Sequence, residues 1–484
     1  MRESTSGAPT SPPNDQGKPT GVLGSIRAHR RTWLIALIAI GLLILGTGSV
    51  ALGLLVGRAN AAVVPVPTPS PTATLARPVP SALPAATRER TCSVAALAQD
   101  ARLGTLEAQV LNPKTGEVLF DRSGSTPAAP GSVVKTLTGA AALATLGPDY
   151  RIQTRVVAGS TPGQIVIVGG GDVTLSRLPD GQASFYTNAP TMQDLATQTL
   201  QVMGSQPITS IVVDTSLFSG PVWQPTWDEH EERVVEGSTP YMTALMVDGD
   251  RDDPTASESP RSTDPVGRAV QYFQQYLGTN VPVSSGVAPA GARQLAVVQS
   301  QPVSVLIDQA LTYSDNTIME ALSRLVAIKQ GTGNTFSAEN AGVLSALQKY
   351  GIPTTGIHLA DGSGLSGDNA VPPSYLTQFF ALVMNRQDGL GVIYDGLPIS
   401  GETGTLGPGT GRFTGANAIA RGAVHAKTGS INNSYDLAGI VTAADGTPLT
   451  FAVYALGNVS DQSRAAIDAL VTGFYSCGNN LSNN

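Results

Sequence analysis

The chain has 484 residues, a formal net charge of −7 and only 13% charged residues. A protein that binds nucleic acid needs a basic surface to contact phosphates, so this composition argues against that class of function. We therefore expect no nucleic-acid partner.

The N-terminal part of the chain predicts a membrane anchor. Residues 1–32 are expected to form a disordered cytoplasmic tail, because they are largely polar and begin with a stretch rich in Pro, Gly and Ser. Residues 33–57 are uncharged and exceed the ~20 residues that a helix needs to cross a bilayer. The alternative is a cleaved secretory signal, whose apolar region is usually ~7–15 residues. Basic residues precede the stretch, whereas only Arg58 follows closely. The rest of the chain is therefore expected outside the cytoplasm, held at the cell membrane by one span.

The segment after the predicted span resembles a spacer. Residues 58–88 are rich in Pro, Ala and Thr, which favours an extended stalk over a packed core. The chain has two cysteines, Cys92 and Cys477. Outside the cytoplasm such a pair can form a disulfide, although two unrelated thiols are the alternative. The cysteines and the four histidines show no ligand spacing, so we expect no metal and no cofactor.

The body is predicted to begin with a hairpin and a helix. Residues 105–110 and 117–120 favour strands around a Pro/Gly turn. From Ser132 an alanine- and leucine-rich stretch predicts a helix that ends at Gly147. Residues three apart share a helix face, so Lys135 should reach the Ser132 hydroxyl. Taken alone, this pair is also compatible with a helix cap followed by a surface lysine.

A long interval separates Ser132 from the next motif at Ser314, and it predicts an inserted domain. Strand-like patterns occur at 152–157, 164–168 and 208–213. We place this β-rich insertion at residues 151–295. Residues 89–150 and 296–484, on either side of it, are expected to form one catalytic domain.

The C-terminal end predicts three strands and a helix. Residues 424–426, 437–441 and 449–456 favour strands. Apolar residues from Ile467 to Phe474 recur at helical spacing. A strand from each end of the body is expected to enter one antiparallel sheet, with a helix from each end beside it, which gives an α+β fold. A Cys92–Cys477 bond would agree with this arrangement.

The string Ser314-Asp315-Asn316 lies between two apolar stretches. All three residue types cap helices well, which is the simplest interpretation. The functional interpretation makes Ser314 the hydroxyl that relays a proton to a leaving amine, and makes Asn316 a hydrogen-bonding partner of the substrate amide.

The string 427–430 follows a short predicted strand. Lys427 and Thr428 suit a carboxylate, and Gly429 permits close approach of a ligand to the strand backbone. The backbone N–H groups of Ser132 and Ser430 are the expected oxyanion hole. An exposed strand end is the alternative.

A serine hydroxyl is a poor nucleophile and needs an adjacent base. Lys135 can serve only when neutral, a state that burial and the nearby positive charge of Lys427 would favour. Copies of these short motifs elsewhere, such as Lys114-Thr115-Gly116 at a turn, show that each string is weak alone. In this order, however, S-x-x-K, S-D-N and K-T-G are the signature of penicillin-binding proteins and class A β-lactamases.

Residues 90–475 resemble the class C low-molecular-mass penicillin-binding proteins, which are D-Ala-D-Ala carboxypeptidases and endopeptidases. Besides the three motifs, the resemblance includes the strings at 169–175, 213–220, 361–366, 397–401, 404–406 and 412–413. It implies a β-lactamase/transpeptidase-like domain with an insertion. The implied catalytic residues are Ser132, Lys135, Ser314, Asn316 and Lys427, and the implied substrate-binding residues are Thr428, Gly429, Ser430 and Asp214.

The resemblance implies that Ser132 attacks the penultimate D-Ala carbonyl of a peptidoglycan stem peptide and that β-lactam antibiotics acylate the same serine. Asp214 would contact a side-chain amine of the substrate, although an aspartate at a strand-to-turn position is the alternative. The family usually has arginine after residues 361–366, where this chain has Gly367.

Other functions remain open from the sequence. The Glu-x-x-x-Asn pattern of a deacylating glutamate is missing at Glu320, Glu339 and Glu402, which argues against a class A penicillinase. A β-lactam or muropeptide sensor and a weak β-lactamase or esterase could use the same acyl-serine site, but residues 1–32 are short for a domain that receives a signal. A catalytically silent wall-binding protein would not require the intact motifs.

Overall fold

The structure, a computed structural model, describes residues 89–484. The predicted tail at 1–32, membrane helix at 33–57 and stalk at 58–88 lie outside the described residues. Within the described part, no helix has both the length and the apolar character needed to cross a bilayer.

Helices and strands are interspersed along the described chain. The strands are β1 (Cys92–Ser93), β2 (Thr105–Asn112), β3 (Glu117–Arg122), β4 (Gln153–Ala158), β5 (Gln164–Val168), β6 (Ser210–Asp214), β7 (Val283–Ser285), β8 (Gln294–Gln299), β9 (Val424–Ile431), β10 (Ser434–Thr442), β11 (Pro448–Leu456) and β12 (Leu481–Ser482). The helices are α1 (Ala95–Ala98), α2 (Val134–Thr145), α3 (Met192–Met203), α4 (Pro265–Leu277), α5 (Val303–Tyr313), α6 (Asn316–Lys329), α7 (Phe336–Leu347), α8 (Pro373–Met384), α9 (Gly391–Gly396) and α10 (Asp461–Cys477).

The main sheet joins the two ends of the described chain. β9, β10 and β11 form an antiparallel meander, and β2 pairs antiparallel with β3. β2 lies beside β11, where Gly104 bridges Leu456 and the Thr450 hydroxyl donates to the Leu111 carbonyl at 3.5 Å. Helix α10 covers one face through apolar residues that include Leu470 and Phe474. The predicted meeting of both ends in one sheet is therefore confirmed.

A second sheet occupies the region predicted as an insertion, and its last strand, β8, ends four residues beyond the predicted boundary at 295. Its strand order is β7-β6-β5-β4-β8, with β4 antiparallel to both neighbours and β5, β6 and β7 mutually parallel. Helices α3 and α4 bury apolar side chains against it, including Leu195 and Phe273. The segment thus carries helices as well as the strands that its sequence emphasises.

Helix α2 runs through the middle of the helical layer. Its residues from Val134 to Leu143 are all buried, and it packs against α5, α6 and α7. A helix that is buried on every side is typical of a protein core. Lys135, in its first turn, is therefore carried into the interior.

The residue expected to open this helix lies just before it. Ser132 is in a short 3₁₀ turn over Gly131–Val133, and the α-helix begins at Val134. Gly131 has a φ of 50°, in the left-handed region that favours glycine. The backbone is thus turned sharply immediately before the predicted nucleophile.

The predicted disulfide is confirmed. Cys92 and Cys477 are bonded, with Cα atoms 5.4 Å apart, and 385 positions separate them in sequence. Beside the bond, β1 pairs in parallel with β12, with Cys92 opposite Leu481. The first and last elements of the described chain are therefore fastened together.

We predict that loss of this disulfide destabilises the protein. Closing so long a loop restricts the unfolded chain, and removal of a native disulfide typically costs about 2–5 kcal/mol. Cys92→Ser, Cys477→Ser and the double variant should all lower the midpoint of thermal unfolding by the same amount, as should a reductant added to the natural protein. Equal midpoints with and without the bond would contradict this expectation.

Candidate active site

Lys135 and Ser132 are in direct contact. The Lys135 Nζ donates to Ser132 Oγ at 2.7 Å, to Asn316 Oδ1 at 2.7 Å and to the Ser363 carbonyl at 2.8 Å. The Lys135 side chain has no exposed surface, whereas Ser132 is half-buried. The lysine therefore has one contact to the serine and two fixed contacts that hold its amine in place.

Burial alters the proton affinity of this amine. Removal from water disfavours the ammonium form and lowers the pKa of Lys135 to about 8, although the carboxylates of Asp361, Glu320, Asp315 and Glu232 act in the opposite direction. A neutral amine is thus accessible near physiological pH, as a general base requires.

Lys427 is the second buried lysine of the site. Its Nζ donates to Ser314 Oγ at 2.9 Å and to the Thr428 carbonyl at 3.0 Å. Burial, followed by repulsion from Lys135, lowers the pKa of Lys427 well below its ordinary value. The sequence predicted that burial and the Lys427 charge would together lower the pKa of Lys135. In the structure burial lowers the pKa of Lys135, and the repulsion between the two lysines lowers the pKa of Lys427.

Ser314 occupies a strained junction between α5 and α6. Its φ of 62° is in the left-handed region, which is uncommon for a residue other than glycine. Asp315 caps α6 by accepting from the Ile318 N–H at 2.8 Å. The same carboxylate pairs with Arg251 at 2.8 Å, and each side chain is 2% exposed. The capping role proposed from the sequence thus belongs to Asp315.

The region predicted as an insertion supports this motif. Arg251 stacks over the rings of Phe185 and Tyr186, with its guanidinium carbon 4.4 and 4.8 Å from their centroids. Thr239 accepts a hydrogen bond from the Asn316 Nδ2 at 3.0 Å. These contacts could not be predicted from the sequence, because no motif or spacing connects Arg251 or Thr239 to the later residues.

The strand β9 approaches the nucleophile backbone to backbone. A Cβ on Gly429 would lie 2.4 Å from the Pro130 carbonyl oxygen and 2.6 Å from Asp436 Oδ2. A Cβ on Gly131 would lie 2.8 Å from the Ser430 nitrogen. The two segments that carry the predicted oxyanion-hole amides are therefore adjacent, and only glycine permits this approach.

These groups surround a cavity of about 520 Å³. The Thr405 and Thr428 hydroxyls are hydrogen-bonded at 2.8 Å beside it, and the Arg464 Nη2 donates to Ser430 Oγ at 3.4 Å. The predicted site residues that line it are Ser132, Ser314, Asn316, Thr428, Gly429 and Ser430. Lys135 and Lys427 are buried. Lys135 contacts the lining residue Ser132 through its hydroxyl, and Lys427 contacts Ser314 in the same way.

Asp214 is not brought to the cavity. It ends β6, where Oδ1 accepts from the Ser216 N–H at 3.0 Å and Oδ2 accepts from the Ala288 N–H at 2.8 Å. It is not among the residues that line the cavity. The carboxylate thus holds a strand-to-turn junction, which is the alternative that the sequence offered, and the contact with a substrate amine stays a prediction.

A family model described as D-Ala-D-Ala carboxypeptidase 3 (S13) matches residues 91–260 and 242–474. The chain belongs to this family. The S13 proteins are serine peptidases, and the resemblance noted in the sequence is confirmed at this level.

Two mycobacterial proteins are similar to this S13 chain. A carboxypeptidase of Mycobacterium tuberculosis is 38% identical over 423 residues, covering 86% of this chain and 90% of the relative. Carboxypeptidase DacB of Mycolicibacterium smegmatis is 38% identical over 440 residues, covering 88% and 94%. The likeness therefore extends over nearly the full length of both relatives.

The fold is also similar to that of a solved structure. Penicillin-binding protein 4 of Haemophilus influenzae superimposes with a TM-score of 0.63 at 22% identity, over 76% of this chain and 95% of that protein. The comparison supports a shared mixture of helices and sheets.

We predict that Gly429→Ala disables the S13 site. The new methyl group would force β9 away from the Pro130 carbonyl, and a displacement of about 1 Å near a reacting centre can cost ~100-fold in rate. The rate of labelling by a fluorescent penicillin should fall by about this factor. Gly367→Ala is the matched control, because nothing lies within 4 Å of a Cβ at that exposed glycine. Similar rates for both variants would count against the close approach.

We also predict that Arg251→Gln destabilises the protein and slows labelling. Breaking a buried pair leaves Asp315 uncompensated, at a cost of about 3–5 kcal/mol in the free energy of unfolding. Adding Asp315→Asn should recover part of that loss, as measured by urea unfolding. Arg386→Gln breaks an exposed pair with Asp395 and should cost about 1 kcal/mol or less. Additive losses in the double variant would show that the pair is not coupled.

Proposed function

We propose that this protein is a serine-type D-Ala-D-Ala carboxypeptidase that acts on peptidoglycan stem peptides through an acyl-serine intermediate. The observation that carries the proposal is the 2.7 Å contact between the fully buried Lys135 amine and the Ser132 hydroxyl at the cavity. Membership of the S13 family and the carboxypeptidase names of its relatives support the same chemistry.

Acylation uses the two hydroxyl–lysine pairs. Ser132 Oγ attacks the penultimate D-Ala carbonyl carbon, and its proton passes to the neutral Lys135 amine. The oxyanion accepts hydrogen bonds from the Ser132 and Ser430 amides. As the C–N bond breaks, the Ser314 hydroxyl, which Lys427 contacts, passes a proton to the leaving amine, and the proton taken up by Lys135 replaces it, so Lys135 is neutral again. Water then attacks the acyl-enzyme carbonyl and gives one proton to Lys135. This proton passes to Ser132 Oγ as the acyl bond breaks, so the shortened peptide is released and Ser132 is restored.

The outer edge of β9 suits an extended peptide. The Ala426 N–H is bonded to the Pro398 carbonyl, so the neighbouring loop covers the start of the strand. The segment from Thr428 to Ser430 lines the cavity instead. An extended substrate can therefore add to this edge by backbone hydrogen bonds. Its terminal carboxylate would contact the Thr428 and Ser430 hydroxyls, with Asn316 near the substrate amide.

The finer parts of the proposal concern partners and location. β-Lactams are proposed to acylate Ser132 and to form an acyl-enzyme that water hydrolyses slowly. Penicillin-binding protein 4 of Haemophilus influenzae has been solved in complex with a β-lactam. Endopeptidase activity on cross-linked peptides is proposed as a second use of the same serine. The apolar stretch at 33–57 supports a single-span anchor at the cell membrane with the body outside the cytoplasm.

The proposal is tested by labelling with a fluorescent penicillin and by measuring D-Ala release from a stem-peptide mimic. Ser132→Ala should abolish labelling and reduce D-Ala release on the order of 10⁴-fold or more, because the nucleophile is lost. Labelling without release of D-Ala or cleavage of cross-linked peptide would favour a sensor. Absence of labelling would exclude every acyl-serine function considered above.

A further inference from the structure

Glu320 is a buried carboxyl group that the acylation steps above do not use. It lies one helical turn after Asn316 on α6, so the two side chains share a face. Its side chain has no exposed surface, and Oε1 accepts from the Ser363 N–H at 2.7 Å. The Ser363 carbonyl in turn accepts from the Lys135 Nζ at 2.8 Å. One residue therefore connects Glu320 to the predicted base.

The turn that contains Ser363 presses against the nucleophile. Asp361 closes the turn by accepting from the Gly364 N–H at 2.7 Å. Gly364 has a φ of 87°, and a Cβ there would lie 1.9 Å from the Gly131 carbonyl oxygen and 3.1 Å from the Ser132 nitrogen. A shift of this turn would therefore move both the serine backbone and one of the three acceptors around Lys135.

We propose that Glu320 is a positioning residue for acylation: by accepting from the Ser363 N–H it fixes the Ser363 carbonyl against the amine of Lys135. The proposal rests on the proposed function, because it assumes that Lys135 receives the Ser132 proton. Glu320 itself touches neither the serine nor the cavity, and acts only through the turn and through its charge.

The surroundings of Glu320 favour its neutral form. Asp361 faces it from the turn, Glu339 from α7 and Lys135 from α2, while Arg324 follows one turn later on α6. Burial and the Asp361 charge raise the pKa of Glu320 to about 8. Its Oε2 has no hydrogen-bond partner among the described residues, which makes an ionised carboxylate costly.

The charge of Glu320 bears directly on Lys135. Ionised Glu320 raises the pKa of Lys135, as do Asp361, Asp315 and Glu232, while burial disfavours the ammonium. Above about pH 8, where Glu320 is ionised in the natural protein, removing the ionisable group while keeping the hydrogen-bond acceptor should therefore let Lys135 reach its neutral form at lower pH. Removing the acceptor as well should release the turn.

The test measures the rate of acylation by a fluorescent penicillin between pH 5 and 10. Glu320→Gln keeps an acceptor for the Ser363 N–H and loses the charge that Glu320 carries above about pH 8. Its maximal rate should therefore stay within about threefold of the natural enzyme, while the upper part of the rising limb of the pH–rate profile moves to lower pH. Glu320→Ala should lower the maximal rate at least ~10-fold, with little change in the concentration of penicillin that gives half-maximal rate.

Glu339→Gln is the matched control. Glu339 is an equally buried carboxyl in the same cluster, but its recorded contact is with the Arg324 Nε at 3.3 Å rather than with the turn. It should lower the midpoint of thermal unfolding without moving the rising limb. A purely structural role for Glu320 would give the same result in both positions, and that outcome would overturn the proposal.

The remaining outcomes are also decisive. If Glu320→Ala does not fold, as judged by circular dichroism, the pH dependence of the acylation rate of Glu320→Gln decides alone. A rising limb that coincides with that of the natural enzyme then overturns the inference. If the natural protein is labelled and both Glu320 variants match it, only this inference fails. If the natural protein is not labelled at any pH, the proposed function fails and the inference fails with it.

Discussion

The site depends on the burial of the Lys135 amine. An exposed lysine would remain an ammonium at neutral pH and could not accept a proton from serine. Helix α2 is enclosed on every side, so its first turn carries the amine out of water while three oxygen acceptors hold its direction. Most of the other features of the site place those acceptors: α6 supplies Asn316, and the turn after Asp361 supplies the Ser363 carbonyl.

Close backbone contacts complete the arrangement around that amine. Gly131, Gly364 and Gly429 lie where the nucleophile turn meets a loop and the edge strand β9, and a methyl group at any of them would collide with backbone or a buried carboxyl. The region predicted as an insertion contributes through the ion pair of Arg251 with Asp315. The cavity is thus formed by segments that are distant in sequence and meet only in the folded chain.

The sequence predicted what local patterns and motifs encode. Alternating and helical periodicity located most of the main strands and the last helix within a few residues. The strand predicted at 424–426 extends to Ile431, so residues 427–430 lie inside it and not after it. The ordered motifs identified Ser132, Lys135, Ser314 and Lys427, which the structure brings together. Two kinds of feature could not be predicted. Contacts such as Arg251 with Asp315 depend on how segments that are distant in sequence are placed in the folded chain. A structural Asp214 and a substrate-binding Asp214 have the same sequence appearance, because in both cases the residue ends a strand and precedes a turn.

The pairing of the two ends of the body has a consequence for how the protein folds. β2 and β3 are made early, yet β2 lies beside β11, which follows it by more than three hundred residues in sequence. Contacts between such distant segments slow folding, because a long loop must close before they form. The emerging chain must therefore hold its first hairpin unpaired on one side until the final strands are available. A chaperone that shields that edge during synthesis would therefore act at the stage when the chain is most prone to pair incorrectly.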